Sequence, residues 1–473
     1  MKITFINLTY NIKDMPANRL LHPRHCLPPL DIGYCAALLE KQGHEVDFFD
    51  TAPGNLSYND IFDKISGLPL EGIAVIKPNE MAYELTLKLA ADLKKAERGS
   101  PYIIIIGPVA SASFNYFIFK GSPIDLCVIG EPEYTLLEAA ERLSCKRPPD
   151  QIAGTAYFRN DALIREKDRD YIADLDNLLF PKHSLFIGKG YKFFYPSMML
   201  KRKKLGLILS SRGCPHSCSF CSPVSRISYG KPYRARSAGN VMEEINFLGK
   251  LGVNFVYFID DLFSYDKERL KKICLGLKYN GLRMRWAAQC RIDDLDEQLL
   301  RLMKSAGCLC INLGIESGSE KVLNALHKNL NLANVGKTVK LCKKIGISTV
   351  GNFILGAPGE EDSDREITVR FAKRVNFDII EILLFTPYPG SRAFNDYGNP
   401  GKINRYCRYD KLAYGENQAY NDKIEKFRKF FYRDYCLRPG FILRNAPAYV
   451  YSAVLNGSGE WKFLKKVTRY ILS

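Results

Sequence analysis

Three cysteines crowd into "SRGCPHSCSFCSP", residues 211–223: Cys214, Cys218 and Cys221, spaced C-x3-C-x2-C. In a long chain such a local cluster favours metal over a disulfide framework, and no fourth thiol stands near to complete two pairs. A zinc site closes with four ligands. His216 has the chemistry to be the fourth, but it lies between the first two cysteines, a poor position from which to complete a tetrahedron. A cube of iron and sulfide suits the count better, since three thiolates hold three irons and leave the fourth iron open to a substrate or cofactor. Pro215 and the small Ser217 and Ser219 suit a loop that wraps a cluster, and Gly213 lets the backbone turn sharply off the preceding strand.

The elements that must position this loop are legible as alternating strand and helix patterns. From 204 to about 395 the strand candidates are "LGLILSS", "VNFVYFIDD", "MRWAAQCR", "CLCINLGIES", "STVGNFILG" and "DIIEILLFTP". Amphipathic helices lie between them, one opened by Asp266 as N-cap. Six such units fall short of the eight-stranded barrel, so the expectation is a partial, open barrel with its active face at the strand carboxyl ends. The triad, Asp260-Asp261, Glu316-Ser317, "GAPGE" at 356–360 and "TPYPGS" at 386–391 all fall at those ends.

Residues 1–145 show a second alternation, with strands "KITFINL", "EVDFFD", "IAVIK", "YIIIIG" and "DLCVIG". They predict a doubly wound, Rossmann-like parallel sheet whose ligand face comprises the loops after Leu8, Asp50, Lys77, Gly107 and Gly130. Residues 146–203, with Pro148, Pro149, Pro181 and Pro196, read as a connector packing across domains. His22, His25 and Cys26 read as part of a polar loop over the ligand cleft. From 396 to 473 the chain turns helical, basic and aromatic, with Phe427, Phe430, Phe431, Tyr432 and Tyr435 interleaved with Lys and Arg. Two readings of that stretch stand: a helical lid on the barrel, or a surface that meets lipid or a greasy substrate.

Composition bounds the rest. With 473 residues, 46% hydrophobic and 25% charged, the chain is that of a globular protein of several domains. No apolar run approaches the ~18 residues of a spanning helix. The opening "MKITFINLTYN" reads as a strand without a leader, so the expected location is the cytoplasm. The net charge of +17 points to an anionic partner or surface. From Lys423 to Ser473 there are eleven Lys or Arg against three Asp or Glu, and "KRKK" precedes the triad at 201–204. Cys274, Cys290, Cys308, Cys310 and Cys342 sit in apolar-periodic segments and read as small buried hydrophobes.

C-x3-C-x-aromatic-C at the end of a first barrel strand, with Phe220 as the aromatic, resembles the radical S-adenosylmethionine (AdoMet) superfamily. The resemblance spans about residues 204–395. It implies a 4Fe-4S cluster on Cys214, Cys218 and Cys221 whose open iron is chelated by AdoMet. One-electron reduction, from a donor such as flavodoxin or ferredoxin, then gives a 5′-deoxyadenosyl radical. It further implies Phe220 beside the adenine, Asp260 or Asp261 at the AdoMet amino group, and Glu316 and Ser317 as ribose or methionine contacts. Ile354 and Gly356 would have their backbone along the adenine. The first domain is similar to that of the cobalamin-binding class, in "PPLDIGYCAALLEKQGHEVDFFD" at 28–50, "CVIGEPEYTLLEAAERL" at 127–143 and the connector "DLDNLLFPKH" at 174–183. That likeness implies cobalamin near Gly107, Gly130 and Glu131. The D-x-H-x-x-G signature of many corrinoid proteins is absent, and the fourth strand ends in Gly107-Pro108 where relatives tend to carry paired glycines.

The implied reaction is methylation of an unactivated carbon of a hydrophobic or lipid-like small molecule, with peripheral contact of the basic C-terminal region at the inner membrane face. An oxidative cyclisation or rearrangement is the alternative within the class. A methylthiotransferase acting on RNA would carry a second N-terminal cysteine triad, whereas Cys26, Cys35, Cys127 and Cys145 are dispersed, so nucleic acid is not the expected partner. Outside enzymes, the remaining alternative is a zinc-stabilised binding module.

Overall fold

The computed structural model describes residues 1–9, 27–51, 56–66, 72–79, 82–96, 100–191, 204–221, 227–399 and 418–445. His22, His25, Cys26, residues 201–203 and the tail from 446 lie outside them.

Short β-branched runs separated by amphipathic helices give a parallel sheet of β1 (Lys2–Asn7), β2 (Glu45–Asp50), β3 (Gly72–Lys77), β4 (Tyr102–Ile105) and β5 (Leu126–Val128). The order 2-1-3-4-5 reverses between β1 and β3, the switch point at which doubly wound sheets take ligands. Both faces are covered. Ile6, Ile76 and Ile105 pack to one side, while their neighbours Phe5, Val75 and Ile104 meet Cys35, Leu39 and Leu136 on the other.

Two more strands, β6 (Thr155–Arg159) and β7 (Ala162–Arg165), extend the β5 edge antiparallel. The sheet expected from the sequence ends at 145, two strands short of this. The overlooked signal is Asn160-Asp161, both at positive φ (50° and 58°), the two-residue turn that matches the twist of a hairpin. Past β7, Lys182 N–H donates to the Gly33 carbonyl at 3.0 Å, and His183 Nε2 lies 2.7 Å from Glu244 Oε1, so these two neighbours touch the first sheet's helices and the barrel's.

The second sheet consists of β8 (Leu205–Ile208), then, after the short ladder of β9 (Ser211–Arg212) with β10 (Arg234–Ala235), the strands β11 (Phe255–Phe258), β12 (Arg285–Cys290), β13 (Cys308–Glu316), β14 (Ser348–Leu355) and β15 (Ile379–Leu384). The six longer strands are parallel and pair in sequence order, with β8 and β15 at the edges, as expected of a partial (β/α)6 barrel. Val256, Trp286, Ile311 and Phe353 face the surrounding helices, while Leu207, Tyr257, Ala287, Cys310 and Val350 face inward.

The helix Gln418–Cys436 lies on the outside of the barrel. Ile424, Phe431 and Tyr435 are fully buried in the barrel's outer core. Tyr435 Oη donates to the Phe377 carbonyl at 2.7 Å, and Tyr432 Oη accepts from Ile382 N–H at 2.9 Å. Of the five aromatics read from the sequence, Phe431 and Tyr435 are buried, Phe427 and Tyr432 are half-buried against the same core, and Phe430 is exposed. No helix among the described residues is long and apolar enough to cross a membrane.

Candidate active site

The cysteine loop leaves β9 through a glycine that nothing else can replace. Gly213 has φ +84°, and a Cβ there would stand 2.1 Å from the Pro232 carbonyl oxygen. Cys214 N–H then donates to the Gly230 carbonyl at 3.2 Å. Further on, Ser219 N–H donates to the Leu326 carbonyl at 3.0 Å, and its own carbonyl accepts from Ala393 N–H at 2.9 Å. The loop after the first barrel strand is therefore stitched to the segments after β13 and β15, across the mouth.

Cys214, Cys218 and Cys221 are each half-buried, whereas the cysteines read as core (Cys274, Cys290, Cys308, Cys310 and Cys342) are buried. Burial pushes the Cys214 thiol up, with the Asp261 carboxylate adding to the rise. Three thiols on one loop, reachable from outside and backed by the barrel mouth, fit a cluster as a donor set. Holding a cluster would require the three thiols to be deprotonated.

Phe220 packs half-buried against Val322, Leu326, Ile354, Ala357, Phe385 and Ala393. Two expected contacts of the adenine, Phe220 and Ile354, thus share one apolar cluster at the strand ends. Gly356, at φ +78°, donates its N–H to Glu360 Oε2 at 2.6 Å. The Glu360 side chain is fully buried, with Arg365 Nη1 3.2 Å from the same oxygen. Even so, burial pushes its carboxyl up to about 7.

The two aspartates at 260–261 separate in role. Asp260 was expected as a cofactor contact but is wholly buried, accepting from Ser210 N–H (2.7 Å), Ser210 Oγ (2.5 Å) and Ser211 Oγ (2.6 Å). It ties the end of β11 to the root of the cysteine loop. Asp261 is half-buried and is the carboxylate felt by Cys214. Similarly, Ser317 is fully buried, with its Oγ 2.9 Å from Thr368 Oγ1 and accepting from Ser319 N–H, so it braces the turn after β13. Glu316 ends β13 at φ +65°, where the register against β14 skips a residue, and Lys328 Nζ donates to its Oε1 at 3.0 Å. The carboxylate folds back over Gly314, where a Cβ would meet it at 2.6 Å.

In the first domain, Gly130 (φ +85°) faces open space at the end of β5. Gly107 (φ +98°) is covered, since a Cβ there would lie 3.4 Å from the Lys77 side chain, which forms a 2.6 Å ion pair with Asp31. Glu131, expected at the ligand cleft, turns toward the barrel instead. It accepts from Arg212 Nη1 and Arg234 Nη1, each at 2.9 Å, and from Ile172 N–H at 2.7 Å.

Two groups are not evident from the sequence. Arg212, Arg234 and Glu133 form the ionic contact between domains; the only clue is an arginine directly before Gly213-Cys214. Inside the barrel, Tyr257, Gln289, Asn312, Asn352 and Glu381 come from five adjacent strands and are inward-facing. Gln289 Nε2 donates to Tyr257 Oη at 3.3 Å, and Asn352 Nδ2 donates to Asn312 Oδ1 at 2.8 Å. Gln289 is exposed although both chain neighbours are buried, so the interior is open at that level. A cavity of about 460 Å³ adjoins the cysteine loop, lined by His216, Ser217 and Cys218 together with Arg291, His327 and Lys328.

Residues 208–372 match the model of the Radical SAM superfamily. The matched stretch takes in the cysteine loop and most of the barrel. It is 28% identical over 425 residues to an uncharacterized methyltransferase of Pyrococcus horikoshii, covering 88% of this chain and 90% of that protein. It is 26% identical over 423 residues to the anaerobic magnesium-protoporphyrin IX monomethyl ester cyclase of Rubrivivax gelatinosus, covering 85% of this chain and 74% of the cyclase. Its fold is similar to that of the radical S-adenosylmethionine methyltransferase TsrM from Kitasatospora setae, solved with cobalamin and a [4Fe-4S] cluster bound. There the TM-score is 0.64 at 18% identity, over 84% of this chain and 74% of that one.

Proposed function

We propose that this chain cleaves AdoMet reductively at a cluster on Cys214, Cys218 and Cys221, and with a corrinoid methylates an unactivated carbon of a small, largely apolar molecule. The observation that carries the reading is the half-buried thiol triad on a loop sewn across the barrel mouth beside Phe220 and Ile354. When bound, the cluster supplies the electron that breaks the sulfonium bond, and the corrinoid carries the methyl group. The chain's own residues position and enclose. Phe220 and Ile354 offer an apolar bed for the adenine, Asp261 a carboxylate for the amino group, and Glu316 a carboxylate held in place by Lys328. The corrinoid would lie along the carboxyl ends of the first sheet, where Gly130 after β5 leaves open space and the Lys77–Asp31 pair, at the β1/β3 switch point, closes the ground over Gly107.

The interior polar row supports an apolar substrate that also bears hydrogen-bonding groups, because a bare hydrocarbon there would strip water from the open Gln289 amide without replacing its hydrogen bonds. The relative named as a protoporphyrin ester cyclase favours a large ring-like molecule and supports cyclisation as the second reading. Exposed Leu437, Ile442 and Leu443 beside the basic C-terminal helix support peripheral contact with an anionic membrane from the cytoplasmic side. The small-molecule substrate is thus expected to be met at the membrane face, with a flavodoxin or ferredoxin as electron donor.

The test is anaerobic purification with supplied hydroxocobalamin, followed by iron and corrinoid analysis and incubation with AdoMet labelled on its methyl group. About four irons, bound corrinoid and label recovered in the corrinoid fraction are expected. Iron without corrinoid would remove methyl transfer from the reading and leave cyclisation.

A further inference from the structure

Arg212 stands two residues before Cys214 and is 2% exposed. Its Nη1 donates to Glu131 Oε1 at 2.9 Å and its Nη2 to Glu133 Oε1 at 2.5 Å, both on the segment after β5 of the first domain. Its guanidinium carbon lies 5.2 Å from the Tyr34 ring centroid and 4.9 Å from that of Tyr229. Tyr34 belongs to the first domain, and its hydroxyl donates to the Leu209 carbonyl at 3.4 Å. Arg234, the β10 partner of Arg212, shares Glu131 and donates to the Tyr229 and Ile172 carbonyls, each at 2.7 Å. Glu133 is 1% exposed and its second oxygen has no hydrogen-bond partner among the described residues, so Arg212 supplies its counter-charge.

A loop root held only by its own barrel would not need this. Burying two carboxylates and an arginine between domains is costly unless their geometry is well satisfied, and its best-attested return is a specified register. We propose that Arg212 is a positioning residue: the first domain, through Glu131 and Glu133, sets where the Cys214 loop stands, and a ligand beside Gly130 reaches the cluster through the same carboxylates. This rests on the cluster reading above and adds the first domain as a working part of the cluster site.

The test uses the full chain, reconstituted anaerobically with iron and sulfide, as wild type, Arg212→Lys and Glu133→Gln. Lysine keeps the charge but cannot bridge two carboxylates, and glutamine keeps a hydrogen-bond acceptor, so both variants can fold. Glu45→Gln, an exposed change in the same domain, is the control. The readout is the electron paramagnetic resonance spectrum of the reduced cluster titrated with AdoMet, in samples incubated with or without hydroxocobalamin before the reductant is added. Iron content is expected to match wild type, while the AdoMet-induced change needs roughly 5- to 100-fold more AdoMet. The further change caused by hydroxocobalamin should vanish in Arg212→Lys. Variants that load iron and titrate like wild type overturn the proposal. A wild type that binds no iron refutes the cluster reading instead. A wild type whose corrin spectrum does not change on mixing refutes the corrinoid reading, and the AdoMet titration alone then decides the role of Arg212.

Discussion

Asp260 accepts hydrogen bonds from both the backbone N–H and the hydroxyl of Ser210, at 2.7 and 2.5 Å, from a position with no solvent exposure. The bond pair joins the second barrel strand to the root of the cysteine loop. It separates two adjacent aspartates that look equivalent in sequence.

Replacing Asp260 by Ala leaves the Ser210 and Ser211 donors buried without an acceptor and removes a counter-charge for Arg269. The expected loss is about 3 kcal/mol or more. Asp261→Ala should cost less than about 1 kcal/mol and act on AdoMet affinity instead. Thermal melting of the cluster-free protein and AdoMet titration of the loaded protein check the two halves. Equal melting losses would contradict the assignment.

Gly213→Ala places a methyl group against the Pro232 carbonyl in a left-handed backbone. The strain, about 1–3 kcal/mol, falls on the loop that carries the thiols. Iron uptake should drop sharply while circular dichroism remains that of the wild type. Full iron loading in this variant would show that the loop root tolerates displacement.

Glu360 makes stability depend on pH. Burial raises its carboxyl from the ordinary 4.5 to about 7, so the folded chain holds this proton more tightly than the unfolded chain. The contribution is complete below about 4.5 and is lost as pH rises through 7, by about 3 kcal/mol. Glu360→Gln stays neutral throughout. The stability difference between wild type and Glu360→Gln, measured by urea unfolding from pH 4.5 to 8, should therefore move against the wild type as pH rises. A pH-independent difference would contradict the burial argument.

Phe431 and Phe430 test the two readings of the C-terminal helix. Phe431 is fully buried with its ring 5.6 Å from that of Phe353, whereas Phe430 is exposed. Phe431→Ala should destabilise by about 3–5 kcal/mol, and Phe430→Ala by less than about 0.5 kcal/mol. Sedimentation with anionic liposomes at low salt then isolates the membrane contact. No binding by the wild type would remove it.

Both sheets were legible because their signals are local: runs of Val, Ile and Phe bounded by turns, alternating with helical periods. The thiol triad was legible because its three ligands lie within eight residues. The Asn160-Asp161 hairpin was overlooked although its turn chemistry stands in the chain. The roles of Asp260, Ser317 and Glu131 were not readable, because each depends on a partner, Ser210, Thr368 or Arg212, that only folding brings near. The same holds for Tyr257, Gln289, Asn312, Asn352 and Glu381, which become a row only when five strands take register. The helix Gln418–Cys436 shows a related limit, since a basic-aromatic pattern does not say whether its apolar side meets protein or lipid.

The central claim is that Cys214, Cys218 and Cys221 hold a cluster at which AdoMet is cleaved. The most direct measurement is 5′-deoxyadenosine released on reduction of the anaerobically reconstituted protein, in wild type and in each Cys→Ala variant. Release by wild type, with none above background from any variant, is the predicted result. Continued release after any one of the three replacements would contradict the account.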